Sequence, residues 1–291
     1  MEIIGIKLNR RVKNLRTFVS NYNLKTTKIN NITIAHISDI HFSESYNLKI
    51  LEIVSQKINK LKPNYICVTG DIIDNNEVLD NNEQYKIIYN FFENLCKNSK
   101  VIVTLGNHEM QGKKYTISSY NEILNKLRKI PHLIVLDNDK YVDKNICFVG
   151  FNPSYEYYEV KGRNYKIFVN DFNKMNLKLD TKMYNILLIH TPKDIFKDCI
   201  YNNIEALKDF ELILAGHTHG GMMPIKIKGH MGIISPGKRL FPKNVRGHIT
   251  RNNTHLIICS AIVRLSNCAK FLRHFNWVYA SHINNINISK Q

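Results

Sequence analysis

Residues 32–41 read Ile-Thr-Ile-Ala-His-Ile-Ser-Asp-Ile-His, an apolar run that breaks at Ser38-Asp39 and closes on His41. A run this short with a polar tip reads as a buried strand. The form recurs along the chain as YICVTGD (65–71), KVIVTLGNHE (100–109), HLIVLDN (132–138), ICFVGFNP (146–153), YNILLIHTP (184–192), FELILAGHTH (210–219) and HLIICSA (255–261). Between the early runs the spacing changes to a helical one. Ile50, Leu51, Ile53, Val54, Ile58 and Leu61 predict a helix over 48–61, stopped by Pro63, and further helices are expected near 84–95 and 118–127. Strands alternating with helices predict a layered α/β domain. The strands are too many for one comfortable open sheet, so two sheets are expected.

The domain is expected to span residues 25–291. Residues 1–24 form a basic N-terminal extension, with Lys7, Arg10, Arg11, Lys13 and Arg16, read as a short amphipathic helix. The 291 residues are 44% hydrophobic, enough for a sizeable core. No apolar run approaches the roughly 18 residues of a spanning helix, which reads against an integral membrane protein. The opening segment has the wrong order of basic and apolar parts for a secretory signal. The six cysteines form no C-x-x-C pair, and Cys67, Cys147 and Cys259 sit inside apolar runs. That pattern fits packed thiols in a reducing cytoplasm. The formal net charge is +17. Such a field favours nucleic acid, anionic lipid or phosphorylated substrates, and says nothing about fold.

The chemistry collects at the carboxyl ends of the strands, where ligands bind in α/β sheets. The tips carry Asp39 and His41, Gly70-Asp71 with Asp74, Gly106-Asn107-His108-Glu109, His190, and Gly216-His217-Thr218-His219-Gly220-Gly221. Asp39, His41, Asp71, Asn107, His190, His217 and His219 offer mixed oxygen and nitrogen ligands suited to Zn, Mn or Fe. Two ions sharing a bridging carboxylate need about this many ligands. No Cys stands among these tips, which reads against a structural zinc site.

The ordered set D-x-H, G-D-x-x-D, G-N-H-E, lone His and G-H-T-H resembles the calcineurin-like metallophosphoesterase superfamily. The small bacterial phosphoesterases with G-H-T-H-G-G and a following loop like Ser235 to Lys243 look closest. The resemblance implies an α/β, two-sheet αββα sandwich with flanking helices and two divalent metal ions. One ion would be held by Asp39, His41, Asp71 and His219, the other by Asp71, Asn107, His190 and His217. His108 would face the leaving group as the catalytic acid. Asp74 and Glu109 would orient the imidazoles by accepting N–H bonds. Lys238, Arg239 and Lys243 would grip a substrate phosphate, though the same charges fit a solvated loop.

The activity implied is metal-dependent phosphoester hydrolysis by a metal-bridging hydroxide, with proton transfer contributing about 10²–10⁴-fold. The substrate expected is a small or lipid-linked phosphoester, such as a UDP-diacylglucosamine-like pyrophosphate. A nuclease of the same superfamily, encouraged by the charge, and a non-catalytic metal-binding scaffold are the alternatives. The protein is expected to be cytoplasmic, with the basic N-terminus touching the anionic inner face of the membrane.

Overall fold

A computed structural model describes residues 17–43, 48–75, 77–110, 117–159, 165–192, 195–221, 243–262 and 281–291. Among these residues the strands form two mixed sheets of six. The first contains β1 (Thr17–Thr26), β2 (Ile32–Ile37), β3 (Tyr65–Thr69), β4 (Lys100–Thr104), β5 (Leu133–Leu136) and, last in the chain, β12 (Ser281–Lys290). Its order is β1-β12-β2-β3-β4-β5. The second contains β6 (Asp139–Asp143), β7 (Ile146–Phe151), β8 (Tyr184–Ile189), β9 (Leu212–Ala215), β10 (Gly247–Arg251) and β11 (Thr254–Ile258). Its order is β10-β11-β9-β8-β7-β6.

The strands read from the sequence are those buried on both faces. Every residue of β3, β7, β8 and β9 is buried, which is why these strands appear as continuous apolar runs. Their alternate faces feed different cores. Ile34, Cys67, Ile102, Phe148, Ile186, Leu188 and Leu214 meet between the two sheets. Val68, Val101 and Val103 face the helices Leu48–Leu61 and Asn82–Cys96, which contribute Leu51, Val54, Ile58, Phe92 and Leu95. Val149, Leu187 and Ile213 face the helix Tyr165–Lys174 through Phe168 and Phe172. Each such side chain contributes roughly 1.5–3 kcal/mol when fully buried. The result is helix, sheet, sheet, helix, as expected.

Helix boundaries lie close to the reading. The first spans Leu48–Leu61; the second starts at Asn82, where Asn81 Oδ1 accepts from the amides of Glu83 and Gln84, and ends at Cys96. The N-terminus is a correction. A boundary at residue 24 cuts through β1, which runs from Thr17 to Thr26 and pairs with β12 along its whole length. Residues 17–24 therefore form a strand of the first sheet rather than an amphipathic helix. The basic residues Lys7 to Arg16 lie outside the described residues. No helix among the described residues is long and apolar enough to cross a membrane.

Strands β2, β3 and β4 run parallel, as do β7, β8 and β9. Their carboxyl ends therefore share edges, and the tips of the two sheets meet. Asp39 after β2 accepts hydrogen bonds from the amide of His217 after β9, at 3.1 and 2.9 Å.

Candidate metal centre

Asp39, His41, Asp71, His217 and His219 all have positive φ, between 47° and 66°. Left-handed backbone is uncommon for residues other than Gly and is sustained only where the surroundings impose it. Here the chain turns sharply off each strand end, throwing consecutive side chains toward a common point. Glycines make the approach possible. A Cβ on Gly106 would lie 2.1 Å from Asp71 Oδ1, and one on Gly216 would lie 1.7 Å from Ser38 Oγ.

The side chains converge in three groups whose ligand atoms lie within 4.8 Å of one another, Asp39 with His41 and His219, Asp71 with His190 and His217, and His41 with Asp74 and His108. In the first, His41 Nε2 is 3.1 Å from His219 Nε2, and His219 Nε2 is 3.3 Å from Asp39 Oδ1. In the second, His190 Nε2 is 3.0 Å from His217 Nδ1 and 3.1 Å from Asp71 Oδ2. The same Asp71 oxygen is 3.6 Å from His41 Nε2, so one carboxylate reaches both of these groups.

The four ligand imidazoles divide: neighbouring carboxylates, Asp71 among them, raise the pKa of His190 to about 9 and that of His41 above its ordinary value against the effect of burial, whereas His217 and His219 are lowered. The Nδ1–H of His190 donates to the carbonyl of Thr69 at 2.7 Å, which leaves Nε2 directed at Asp71. Burial pushes the pKa of His217 down to about 3, helped by His190, and burial takes His219 down to about 4. Both imidazoles are neutral at ordinary pH and offer a lone pair. Asn107 brings its Oδ1 into the interior with no hydrogen-bond partner. An acceptor so placed, among imidazoles and carboxylates, fits a divalent metal ion.

The remaining motif residues divide. His108 Nδ1 lies 2.6 Å from the carbonyl of Asp74 and donates to it. Asp74 Oδ1 stands 3.4 Å from His41 Nδ1. Asp74 thus orients His108 through its backbone carbonyl, while its carboxylate stands close to His41 Nδ1 without a well-formed hydrogen bond. Glu109 orients no imidazole, which corrects the expectation for it. Its Oε1 accepts from the amides of Ile72 and Ile73 at 2.7 and 3.1 Å. Its Oε2 accepts from those of Asp71 and Gly106 at 3.0 and 2.7 Å. This fully buried carboxylate ties the loop carrying Asp71 to the turn carrying Asn107.

Asn152 does similar work between the sheets and escaped the sequence reading. Its Oδ1 accepts from Thr104 Oγ1 at 2.8 Å and from the Leu105 amide at 3.1 Å, while its Nδ2 donates to Asp137 Oδ1 at 2.9 Å. It pins the end of β7 to the end of β4, just before Gly106. Asn152-Pro153 after an apolar run was the available signal. His36 is fully buried and bonds Thr69 Oγ1 at 2.9 Å, with burial holding its pKa down to about 3. Lys238 and Arg239 fall outside the described residues. Lys243 is exposed.

A family model described as calcineurin-like phosphoesterase matches residues 32–221. An uncharacterized metallophosphoesterase of Campylobacter jejuni is 28% identical over 195 residues, 66% of this chain and 45% of that protein. One from Aquifex aeolicus is 27% identical over 208 residues, 70% of each chain. One from Bacillus subtilis is 25% identical over 233 residues, 77% of this chain and 70% of the other. The matched region thus spans less than half the length of the Campylobacter relative.

Proposed function

Because this chain belongs to the calcineurin-like phosphoesterase family, we propose that it hydrolyses a phosphoester with two divalent metal ions. Asp39, His41, Asp71 and His219 would hold one ion, and Asp71, Asn107, His190 and His217 the other. The observation that carries this reading is the position of Asp71. Its Oδ2 lies 3.1 Å from His190 Nε2 in one group and 3.6 Å from His41 Nε2 in the other. When bound, such ions neutralise phosphoryl oxygens and lower the pKa of water to near neutrality.

The chain's own residues supply the rest. Asp71 Oδ1 accepts the amide of His108 at 2.9 Å, which fixes the turn carrying that imidazole. With Nδ1–H spent on the Asp74 carbonyl, His108 keeps Nε2 for the substrate. The ring is about a quarter exposed, whereas His190 is fully buried. Nε2, protonated, is placed to give its proton to the departing oxygen.

The substrate proposed is a small or lipid-linked phosphoester, such as a UDP-diacylglucosamine-like pyrophosphate, in line with the resemblance to the small bacterial G-H-T-H-G-G type. Attachment of the basic segment Lys7 to Arg16 to an anionic membrane would accompany a lipid-linked substrate. The net charge of +17 favours a nuclease as the second reading. The test is a screen of phosphomonoesters, phosphodiesters and nucleotide pyrophosphates with Mn, Zn and Fe, alongside Asp71→Asn. Hydrolysis that needs metal, with loss of most activity in the variant, is expected. Full turnover by an Asp71→Asn protein holding two ions would overturn the assignment.

A further inference from the structure

Strands β10 and β11 form a hairpin at the edge of the second sheet, with Thr250 opposite His255 and His248 opposite Ile257. Side chains two apart on a strand share a face, as do directly opposed ones, so His248, Thr250 and His255 point to one side. Their polar atoms meet. His248 Nε2 is 2.9 Å from His255 Nδ1, and Thr250 Oγ1 is 3.3 Å from the first and 3.4 Å from the second. Both histidines are half-buried and Thr250 is exposed, so the triangle opens to solvent. The ring of Tyr22 on β1 stands nearly perpendicular to that of His248 at 6.1 Å and walls one side. The hairpin is held from its opposite face by Arg251. That guanidinium donates to Asp198 Oδ1 at 2.6 Å and to the carbonyl of Phe196, and lies 4.3 Å above the Tyr201 ring.

A single N–H shared by the two rings accounts for the 2.9 Å separation. It does not account for the hydroxyl, which stands at nearly equal distance from both nitrogens and farther than an ordinary hydrogen bond. Ligand atoms about 2.0–2.1 Å from one ion lie about 2.9 Å apart at a right angle and about 3.4 Å apart at the tetrahedral angle. The three observed separations span that range. We propose that His248 and His255, with the Thr250 hydroxyl beside them, bind a divalent transition ion of the Zn class, which imidazole ligands suit. Each ring would carry its proton on the far nitrogen, so binding asks only a tautomer shift of the pair. The site is separate from the candidate metal centre. His255 pairs with Leu212, the first residue of β9, whereas His217 follows the other end of that strand. The proposal does not rest on the phosphoesterase reading.

Equilibrium dialysis of the full chain against micromolar Zn2+, followed by metal analysis, tests it alongside His248→Gln and His255→Gln. Each variant removes one imidazole from a different strand, so the comparison stands if one of them fails to fold. Wild type should hold one more equivalent of Zn than either folded variant, with hydrolytic activity the same in all three. Equal Zn content in wild type and the folded variants would overturn the proposal. So would a loss of Zn that takes hydrolysis with it, because the missing ion would then come from the catalytic centre. A wild type without hydrolysis would sink the phosphoesterase reading separately, and the difference of one equivalent would still decide the role of the histidine pair.

Discussion

Replacing Glu109 with Gln keeps the shape of the side chain and exchanges one carboxylate oxygen for an NH2 group. In the native protein each of the two oxygens accepts two backbone amides, from Ile72 and Ile73 on one side and from Asp71 and Gly106 on the other. Gln satisfies one pair and turns donors against the other pair. Two hydrogen bonds to a charged acceptor are lost, at about 1.5–3 kcal/mol each. Relief of a buried charge offsets part of this, and the two orphaned amides add to it. The net loss expected is roughly 3–5 kcal/mol, a large share of the roughly 5–15 kcal/mol available to a domain. With urea m-values of about 1–3 kcal/mol/M, the midpoint should fall by more than about 1 M. The loops bearing Asp71 and Asn107 are those released, so bound metal should fall in step with stability. Urea titration followed by metal analysis of the folded fraction reads both. An unchanged midpoint with unchanged metal content would refute the view that Glu109 fastens the two loops.

His108→Ala should keep both metals and lose roughly 10²–10⁴ in rate on esters with poor leaving groups, with a much smaller loss on p-nitrophenyl esters; an equal loss on both would remove His108 from the acid role. Asp143 accepts from Lys100 Nζ and from the Tyr65 hydroxyl, both at 2.7 Å, and Lys100 above all holds its pKa below the usual value. Its contribution to stability is full above the unfolded carboxylate pKa of about 4 and is lost as pH falls through the lower folded value. The urea midpoint of Asp143→Asn should therefore trail wild type at neutral pH and converge with it in acid, and a constant gap across that range would contradict the pairing. A chain begun at Lys25 removes most of β1 and bares the edge of β12, so it should unfold at lower urea than one begun at Thr17; equal midpoints would mean that β1 adds nothing to the sheet.

The seven candidate ligands were legible because each sits directly beyond a strand buried on both faces. The apolar run announces the strand, and the next polar residue then marks the sheet edge. Glu109 was misread for a related reason. Its neighbour His108 lies at the cavity, but on the first turn of a helix adjacent side chains diverge, and Glu109 points back under the loop. Asn152 would ligate nothing, so no ligand pattern included it. Strand β12 escaped because period 2 is broken in it, and β1 because its regular alternation from Asn21 to Thr26 is carried by few apolar residues. In β12 the buried isoleucines are Ile283, Ile286 and Ile288, while Asn284 is buried between them. Side-chain pairing compensates, with Asn284 Nδ2 3.3 Å from His36 Nδ1 and Asn285 Nδ2 donating to Asn21 Oδ1 at 2.8 Å. Asparagine is depleted in strands generally, so neither segment carries the usual composition.

During translation β1 leaves the ribosome long before β12 exists. Asn21 and Asn285 are 264 positions apart, so at roughly 5–20 residues per second the nascent strand idles for about 13–50 s. A long apolar strand with unpaired edges would be a template for a neighbouring chain during that interval. The sequence TFVSNYNLKT, with Ser20, Asn21, Asn23, Lys25 and Thr26, offers little to hold a stranger. The asparagines that hide β1 from hydrophobic periodicity thus also let it wait on the polysome, hydrated and unpaired, until the last strand arrives to be flanked by β1 and β2.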